Sequence, residues 1–218
     1  DTNNIFIFGH SMGGFIAPLM DCKIKPNGIA VYGTVVRSWF EYFVEQTRIQ
    51  NFIAGEDYVD NENAFKLRLM LNYEFFILQK PLEELMKNED YKKLIIAEWG
   101  YQEPNYVFER HYKFWQQLQN YSLINAWSKC TSKVLSIWGE CDFVAFSRYD
   151  HQLIADICNQ YHNGNAQFVT IPNSGHAFSF TNSLQHSAQI WGNSLYMREN
   201  FNSAIIDTLD NWIKRCIK

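Results

Sequence analysis

The sequence lacks both a long apolar run and an excess of basic residues. A membrane-spanning helix needs roughly 18 consecutive apolar residues. The best candidate in this chain, around Leu67–Leu78, is interrupted by Arg68, Asn72 and Glu74. The formal net charge is −4, so no broad basic surface is available for nucleic acid or anionic lipid. We therefore expect no membrane span and no nucleic-acid partner.

Cysteine is scarce and its spacing is irregular. The five cysteines are odd in number and include no CxxC pair: Cys22, Cys130, Cys141, Cys158 and Cys216. A disulfide framework and a zinc site are therefore not expected. Buried free thiols slightly favour a reducing compartment, which is all that the sequence indicates about location.

Four short runs rich in Val, Ile or Phe predict buried strands. They are Asn4–Phe8, Gly28–Tyr32, Lys133–Trp138 and Ala166–Ile171. Such near-continuous apolar runs are typical of strands that are covered on both faces of a parallel sheet. Helical patterns alternate with them at Gly13–Cys22, Ser147–Gln160 and Glu199–Lys218. The alternation predicts an α/β fold with a parallel sheet flanked by helices.

The alternation breaks off in the middle of the chain. Residues 34–132 contain several amphipathic helical stretches and no convincing strand. We therefore predict a helical insertion over residues 34–132, between the two parts of a core formed by residues 1–33 and 133–218.

The hexapeptide Gly9-His10-Ser11-Met12-Gly13-Gly14 joins the first strand to a helix. In a G-x-S-x-G turn of this kind the serine is strained and its hydroxyl is exposed, and we expect Gly9 and Gly13 to crowd each other. The N–H of Met12, at the start of the helix, is free to bind an oxyanion. The pattern predicts a nucleophilic Ser11. A glycine-rich turn with an idle serine is the alternative, while a phosphate loop would need a Walker lysine or GxGxxG.

This pattern resembles the nucleophile elbow of the α/β-hydrolase superfamily, in particular the capped esterase-like, lipase-like or serine-peptidase-like branch with a GHSMGG elbow. The resemblance covers nearly the whole chain and implies the chain order nucleophile, acid, histidine. The strand-Gly-x-x-Asp pattern after the insertion implies Asp142 as the acid, with Glu140 and Asp150 as alternatives. The Gly-His-x-Phe turn after the last strand implies His176 as the histidine.

A purely structural role is also open to several of these side chains. Asp142 can cap the helix that begins near Ser147, because Asp is a common helix cap. His10 belongs to the elbow, where packing or a hydrogen bond accounts for it. The other histidines lie in helices or loops that need no catalyst: His111, His151, His162 and His186.

The resemblance implies a serine hydrolase that acts on a carboxylic ester through an acyl-enzyme. His176 would take the proton of Ser11, and Asp142 would orient the imidazole. No cofactor or metal is implied, and the expected partner is a small-molecule or peptide acyl substrate. The alternatives are a prolyl-oligopeptidase-like serine peptidase, a thioesterase, and a non-catalytic binding domain that retains the fold.

Residues just after the second predicted strand are candidates for binding substrate. Arg37, Trp39, Phe40 and Phe43 lie where that strand ends beside the elbow. Packing within the insertion is the alternative role for the three aromatic residues. Arg37 can bind a substrate carboxylate, or it can pair with Glu41 at i,i+4.

The resemblance also implies that the fold is incomplete. The family carries four strands before the elbow, and a loop among them supplies the second oxyanion donor. We therefore expect the carboxyl-terminal portion of a longer hydrolase, poorly active alone, whose native amino terminus lies outside this sequence. The elbow strand would lie at a sheet edge, and we expect a preceding segment or a second copy to pair with it.

Overall fold

The computed structural model describes residues 4–217 of the chain. The strands are β1 (Phe6–His10), β2 (Gly28–Tyr32), β3 (Tyr106–Val107), β4 (Arg110–His111), β5 (Lys133–Gly139) and β6 (Ala166–Ile171). The helices are α1 (Met12–Ile24), α2 (Trp39–Ile53), α3 (Tyr58–Asn72), α4 (Leu82–Leu85), α5 (Glu89–Ala97), α6 (Tyr112–Gln119), α7 (Leu123–Ser128), α8 (Arg148–Tyr161), α9 (Leu184–Gln189), α10 (Ser194–Glu199) and α11 (Ala204–Cys216). A π-helical turn, Tyr73–Ile77, follows α3 directly.

Four of these strands form one parallel sheet in the order β1-β2-β5-β6. Strand β2 is buried along its whole length, as its continuous apolar sequence predicts. Because the strands are parallel, their carboxyl ends all lie at one edge of the sheet. The loops that leave this edge begin at Ser11, Gly33, Glu140 and Pro172. The predicted α/β class with a parallel sheet flanked by helices is confirmed.

The elbow strand lies two residues later than the sequence pattern predicts. The apolar run indicates Asn4–Phe8, but the strand is found at Phe6–His10, because Gly9 and His10 continue the ladder against β2. Backbone pairing with a buried strand therefore outweighs the poor strand propensity of glycine. Strand β1 lies at one edge of the four-stranded sheet, and Phe8 is exposed there. What covers this edge stays a prediction.

Helix α11 packs under the sheet through Ile205 and Trp212, which are both buried. The indole of Trp212 meets the ring of Phe6 edge-on, with 5.7 Å between the ring centroids. A Cβ on Gly28 would lie 2.5 Å from Cη2 of Trp212. The indole therefore fills the space beneath the first two strands and leaves no room for a side chain at Gly28.

The closing helix begins later than predicted. It starts at Ala204, whereas the sequence pattern places its start near Glu199, and Lys218 at its predicted end lies outside the described residues. The N–H of Asn202 donates to the carbonyl of Phe178 at 2.8 Å, so the preceding residues pair with a distant loop and interrupt the helix. This non-local pairing is invisible in the local pattern.

The chain divides into two compact units, one made of the chain up to Val36 and from Leu123 onward, the other of Arg37–Ser122. The first contains the four-stranded sheet, and helix α7 belongs to it. The second contains α2 to α6, the π-helical turn and a short hairpin. Within the described residues, no helix is both long and apolar enough to cross a membrane.

The hairpin β3–β4 in the second unit departs from the prediction that this region has no strands. Its strands contain two residues each and pair in antiparallel fashion. The turn between them places Phe108 (φ 47°) and Glu109 (φ 61°) in the left-handed region. Because neither is Gly, Asn or Asp, the usual sequence signal of such a turn is absent.

Replacing Trp212 by alanine is expected to lower the free energy of unfolding by about 3–5 kcal/mol, because a buried indole is lost and a cavity forms. Urea unfolding measures this change. Ile206, 53% exposed on the same helix, provides the control, and its replacement by alanine should change stability by roughly 0.5 kcal/mol or less. Equal effects of the two substitutions would contradict the packing described here.

Candidate active site

Ser11 lies in a strained turn between β1 and α1. Its backbone has φ 54° and ψ −120°, a conformation that non-glycine residues rarely adopt. Its N–H donates to the carbonyl of Tyr32 at 3.0 Å, which ties the turn to the end of β2. A non-glycine residue held in this way is the backbone signature expected of a nucleophile elbow.

The glycines of the elbow have different roles from those predicted. A Cβ on Gly9 would lie 2.5 Å from the carbonyl oxygen of Gly13, so Gly9 has no room for a side chain. A Cβ on Gly13 would meet no atom within 4 Å, so the prediction that both lack room is wrong. Gly14 is the second restricted position, because its Cβ would lie 2.5 Å from the Thr34 side chain.

Asp142 and His176 form a buried hydrogen-bonded pair at the carboxyl edge of the sheet. Nδ1 of His176 lies 2.9 Å from Oδ2 and 3.1 Å from Oδ1 of Asp142. Oδ1 also accepts hydrogen bonds from the N–H groups of Val144 (2.9 Å) and Ala145 (2.7 Å). Because the partner is a carboxylate, Nδ1 carries the proton and donates it.

The surroundings of Asp142 favour its ionised form. Complete burial raises the pKa of the carboxyl, but the attraction and hydrogen bond of His176 and the N–H of Ala145 outweigh burial. The net effect holds the pKa of Asp142 below its ordinary value. The carboxylate is therefore available to orient the imidazole and to stabilise a positive charge on it.

Ser147, and not Asp142, caps helix α8. Its Oγ accepts a hydrogen bond from the N–H of Asp150 at 3.1 Å, in the first turn of that helix. Glu140, one of the alternative acids, accepts a hydrogen bond from the N–H of Asn173 at 3.1 Å. The carboxylate of Asp142 contacts His176 directly.

The loop that carries His176 is fixed by Tyr32, at the end of β2. The phenol of Tyr32 donates to the carbonyl of Gly175 at 2.7 Å and lies 3.0 Å from Oγ of Ser174. Burial raises the pKa of Tyr32 well above its ordinary range, so the phenol keeps its proton. A strand residue thus holds two successive residues of the loop just before His176.

The elbow and the His176 loop are also joined directly by His10. Its Nε2 donates to the backbone carbonyl of His176 at 2.8 Å, and the two imidazole centroids lie 4.8 Å apart. The ring of Phe178, on the same loop, lies 4.4 Å from that of His10. The residue next to Ser11 therefore contacts the residue expected to act as its base.

Two polar atoms at this edge of the sheet have no hydrogen-bond partner among the described residues. Within residues 4–217, the hydroxyl of Ser11 and Nε2 of His176 make no hydrogen bond. Since Nδ1 donates to Asp142, Nε2 is the ring nitrogen whose lone pair can accept a proton. Catalytic hydrogen bonds are often long before substrate binds, and they tighten in the complex.

Ser11, Asp142 and His176 thus follow, in this chain order, three strands of one parallel sheet at the same edge. The first stands in a strained strand–helix elbow, and the other two form a buried pair. This is the α/β-hydrolase fold.

Solved structures align with this chain at low identity. A thermophilic esterase from Thermogutta terrifontis shares 16% identity over 99% of this chain and 66% of its own, with a TM-score of 0.48. A carboxyl esterase from Bacillus coagulans shares 16% over 96% and 65%, with a TM-score of 0.45. An enol-lactonase from Burkholderia xenovorans shares 14% over 96% and 66%, with a TM-score of 0.43.

The chain spans 65–66% of the length of these solved structures. No family model matches it, and no curated protein matches it. The fold assignment rests on the strand order, the elbow and the chain order of the three side chains.

An aromatic residue that the sequence analysis did not single out borders the imidazole. The ring of Trp191 lies 5.7 Å from that of His176, and the ring of Phe143 lies 5.4 Å from the indole. Trp191 is 53% exposed. Its place between the short helices α9 and α10 gave no local signal, because the contact depends on how the segment after β6 folds back over the sheet edge.

The aromatic residues predicted to bind substrate lie in the second unit and differ in exposure. Trp39 and Phe43 are buried and pack against Trp115, with ring centroids 5.3 and 5.4 Å away. Phe40 lines an apolar pocket of about 510 Å³ within that unit, together with Leu69, Met70, Tyr73, Glu74 and Leu78. The burial of Trp39 and Phe43 favours a packing role for both.

Arg37 forms an ion pair that the i,i+4 prediction did not include. Its guanidinium lies 2.6 Å from a carboxylate oxygen of Glu45. Glu41, the predicted partner, accepts hydrogen bonds from the N–H and hydroxyl of Ser38 and completes the capping box of α2. Within residues 4–217, no group of three or more His, Cys, Asp or Glu side chains is placed to bind a metal ion.

The stability of the first unit should fall as the pH drops through the ordinary titration range of histidine. Burial lowers the pKa values of His10 and His151. It outweighs the opposing effects of Asp142 and of their hydrogen bonds to the backbone carbonyls of His176 and Ser147, respectively. Near their ordinary pKa of about 6.5, these groups take up protons in the unfolded chain but not in the folded one. Asp142, in contrast, stabilises the folded state in its ionised form. This contribution to stability is lost only below its ordinary pKa of about 3.9.

We therefore expect a lower free energy of unfolding at pH 5 than at pH 7.5, measured with urea. The double substitution His10→Gln and His151→Gln should make this dependence on pH shallower. A free energy that stays constant or rises between pH 7.5 and pH 5 would contradict the neutral state of both imidazoles.

Proposed function

We propose that this chain carries the catalytic residues of a serine hydrolase that acts on carboxylic esters through an acyl-enzyme. One observation supports this most strongly. The buried Asp142–His176 pair leaves Nε2 free and is joined through His10 to the strained elbow of Ser11. A buried ionised carboxylate is costly unless it is paired, and a structural role alone does not require the strained serine beside the pair.

The proposed first step transfers the acyl group to Ser11. Nε2 of His176 takes the hydroxyl proton while Oγ attacks the carbonyl carbon, and the carbonyl oxygen becomes an oxyanion. The N–H of Met12, at the first position of α1, is the proposed donor to that oxyanion. Asp142 stabilises the imidazolium, which then returns its proton to the departing alkoxide as the ester bond breaks.

The second step releases the acid. Nε2 of His176 takes a proton from a water molecule, whose oxygen attacks the acyl carbon. Collapse of the second tetrahedral intermediate breaks the bond to Oγ, and the proton on Nε2 returns to Ser11. The products are a carboxylic acid and an alcohol, and the three side chains regain their initial states.

An ester is the proposed substrate class because the site is flanked by apolar surface. Trp191 and Phe143 lie beside the imidazole and offer aromatic faces to an acyl or alkoxy group. Peptide and thioester substrates use the same three side chains, so experiment must separate these classes.

A fluorophosphonate probe should label the protein covalently on Ser11. The probe reacts with an activated serine, so Ser11→Ala should abolish labelling and His176→Ala should slow it by several powers of ten. Asp142→Asn should lower the rate by roughly 10³–10⁴-fold, because it favours the wrong tautomer of His176. Mass spectrometry of the labelled peptide identifies the modified residue.

The control is Ser194→Ala, which removes an exposed serine from the first unit. This variant should be labelled at the wild-type rate. Failure of the folded wild-type protein to react would support the non-catalytic binding domain and contradict the hydrolase.

The substrate class is tested with an ester, a thioester and an anilide that share one acyl group. We expect the highest kcat/KM for the ester, and its loss in Ser11→Ala. The amine of the anilide is a poorer leaving group that must be protonated as it departs. A peptidase is therefore expected to hydrolyse the anilide with a high kcat/KM. A higher kcat/KM for the anilide or for the thioester would contradict the ester proposal.

A further inference from the structure

The dipeptide Gly33–Thr34, which follows β2, lies against the Asp142–His176 pair. Gly33 has φ +59°, and a Cβ there would lie 2.8 Å from Oδ2 of Asp142 and 2.9 Å from Nδ1 of His176. The backbone at Gly33 therefore lies too close to both members of the pair to leave room for a side chain. A side chain at this position would be strained and would push them apart.

The other residue of this dipeptide lies against the elbow. The Thr34 side chain is so close to Gly14 that a Cβ on Gly14 would come within 2.5 Å of it. Gly14 is in the first turn of α1, three residues after Ser11. Gly33–Thr34 thus lies close both to the elbow and to the Asp142–His176 pair.

His151 holds this dipeptide in place. It lies on α8 and is completely buried, with Nδ1 2.8 Å from the carbonyl of Ser147 and Nε2 3.1 Å from the backbone nitrogen of Thr34. Since the N–H of Thr34 is a donor, Nε2 must accept, and Nδ1 carries the proton that is donated to Ser147. Both ring nitrogens are occupied, so the imidazole is neutral and cannot act on a substrate.

We propose that His151 is a positioning residue that anchors the N–H of Thr34 and thereby holds Gly33–Thr34 between the elbow of Ser11 and the Asp142–His176 pair. This proposal rests on the proposed function, because the spacing matters only if Ser11 and His176 react together. Reaction rates are sensitive to such spacing, and a displacement of about 1 Å can cost on the order of 10²-fold. His151 acts through Thr34 and does not contact the reacting atoms.

Two substitutions separate the two hydrogen bonds of His151. The amide of Asn can replace Nδ1 and donate to Ser147, but it is too short to reach Thr34. The amide oxygen of Gln can replace Nε2 and accept from the N–H of Thr34. Only His151→Asn therefore leaves a buried N–H without a partner and releases the dipeptide. His162→Gln, just past the end of the same helix, is the control.

The experiment compares the wild-type protein, His151→Asn, His151→Gln and His162→Gln by two measurements. One is the second-order rate constant for phosphonylation of Ser11. The other is the downfield proton NMR signal of Nδ1–H of His176, which reports its bond to Asp142. Circular dichroism verifies that each variant is folded before it is compared.

We expect His151→Asn to lower the rate constant by about 10–100-fold and to shift or broaden the His176 signal. His151→Gln and His162→Gln should stay near the wild-type values. If the Asn and Gln variants react equally fast, whether both are slow or both match the wild-type protein, the positioning role is overturned. If wild-type Ser11 does not react, the hydrolase proposal fails, whereas the NMR signal still shows whether His151 positions His176.

Discussion

The parallel register of four strands is the constraint on which the site depends. In a parallel sheet every strand delivers its carboxyl end to the same edge, so residues far apart in the chain become neighbours there. Ser11, Asp142 and His176 each follow a different strand and lie on loops at that edge. If one strand slipped by one residue, each of its side chains would turn to the other face of the sheet. The loop after that strand would then present a different residue to the site.

Close contacts then convert this coarse alignment into a defined geometry. The loops after the strands are joined by Tyr32 and His10, which hold the backbone around His176, and by the close approach of Gly33 to the Asp142–His176 pair. These groups are wholly or largely buried, so an unmade hydrogen bond would be costly. The strained backbone of the serine is maintained because its surroundings leave it no alternative.

The fold class was predictable because local patterns indicate the strands and helices, and the same patterns place three candidate side chains directly after strands. Apolar runs indicate buried strands, and Ser11, Asp142 and His176 follow such runs in recognisable turns. The contacts that position them were not predictable in the same way. His151 and Trp191 contact the site region through residues distant in the chain, so only the folded loops show their place. The distinct roles of the elbow glycines likewise depend on which neighbour faces each Cα.

A crystal structure of the protein after reaction with a fluorophosphonate would show directly whether Ser11, Asp142 and His176 act together. We expect phosphorus bonded to Oγ of Ser11, with a phosphonyl oxygen near the N–H of Met12. Nε2 of His176 should lie within about 3.2 Å of an adduct oxygen, with Nδ1 still bound to Asp142. An adduct on another residue, or an imidazole turned away from Ser11, would contradict the account.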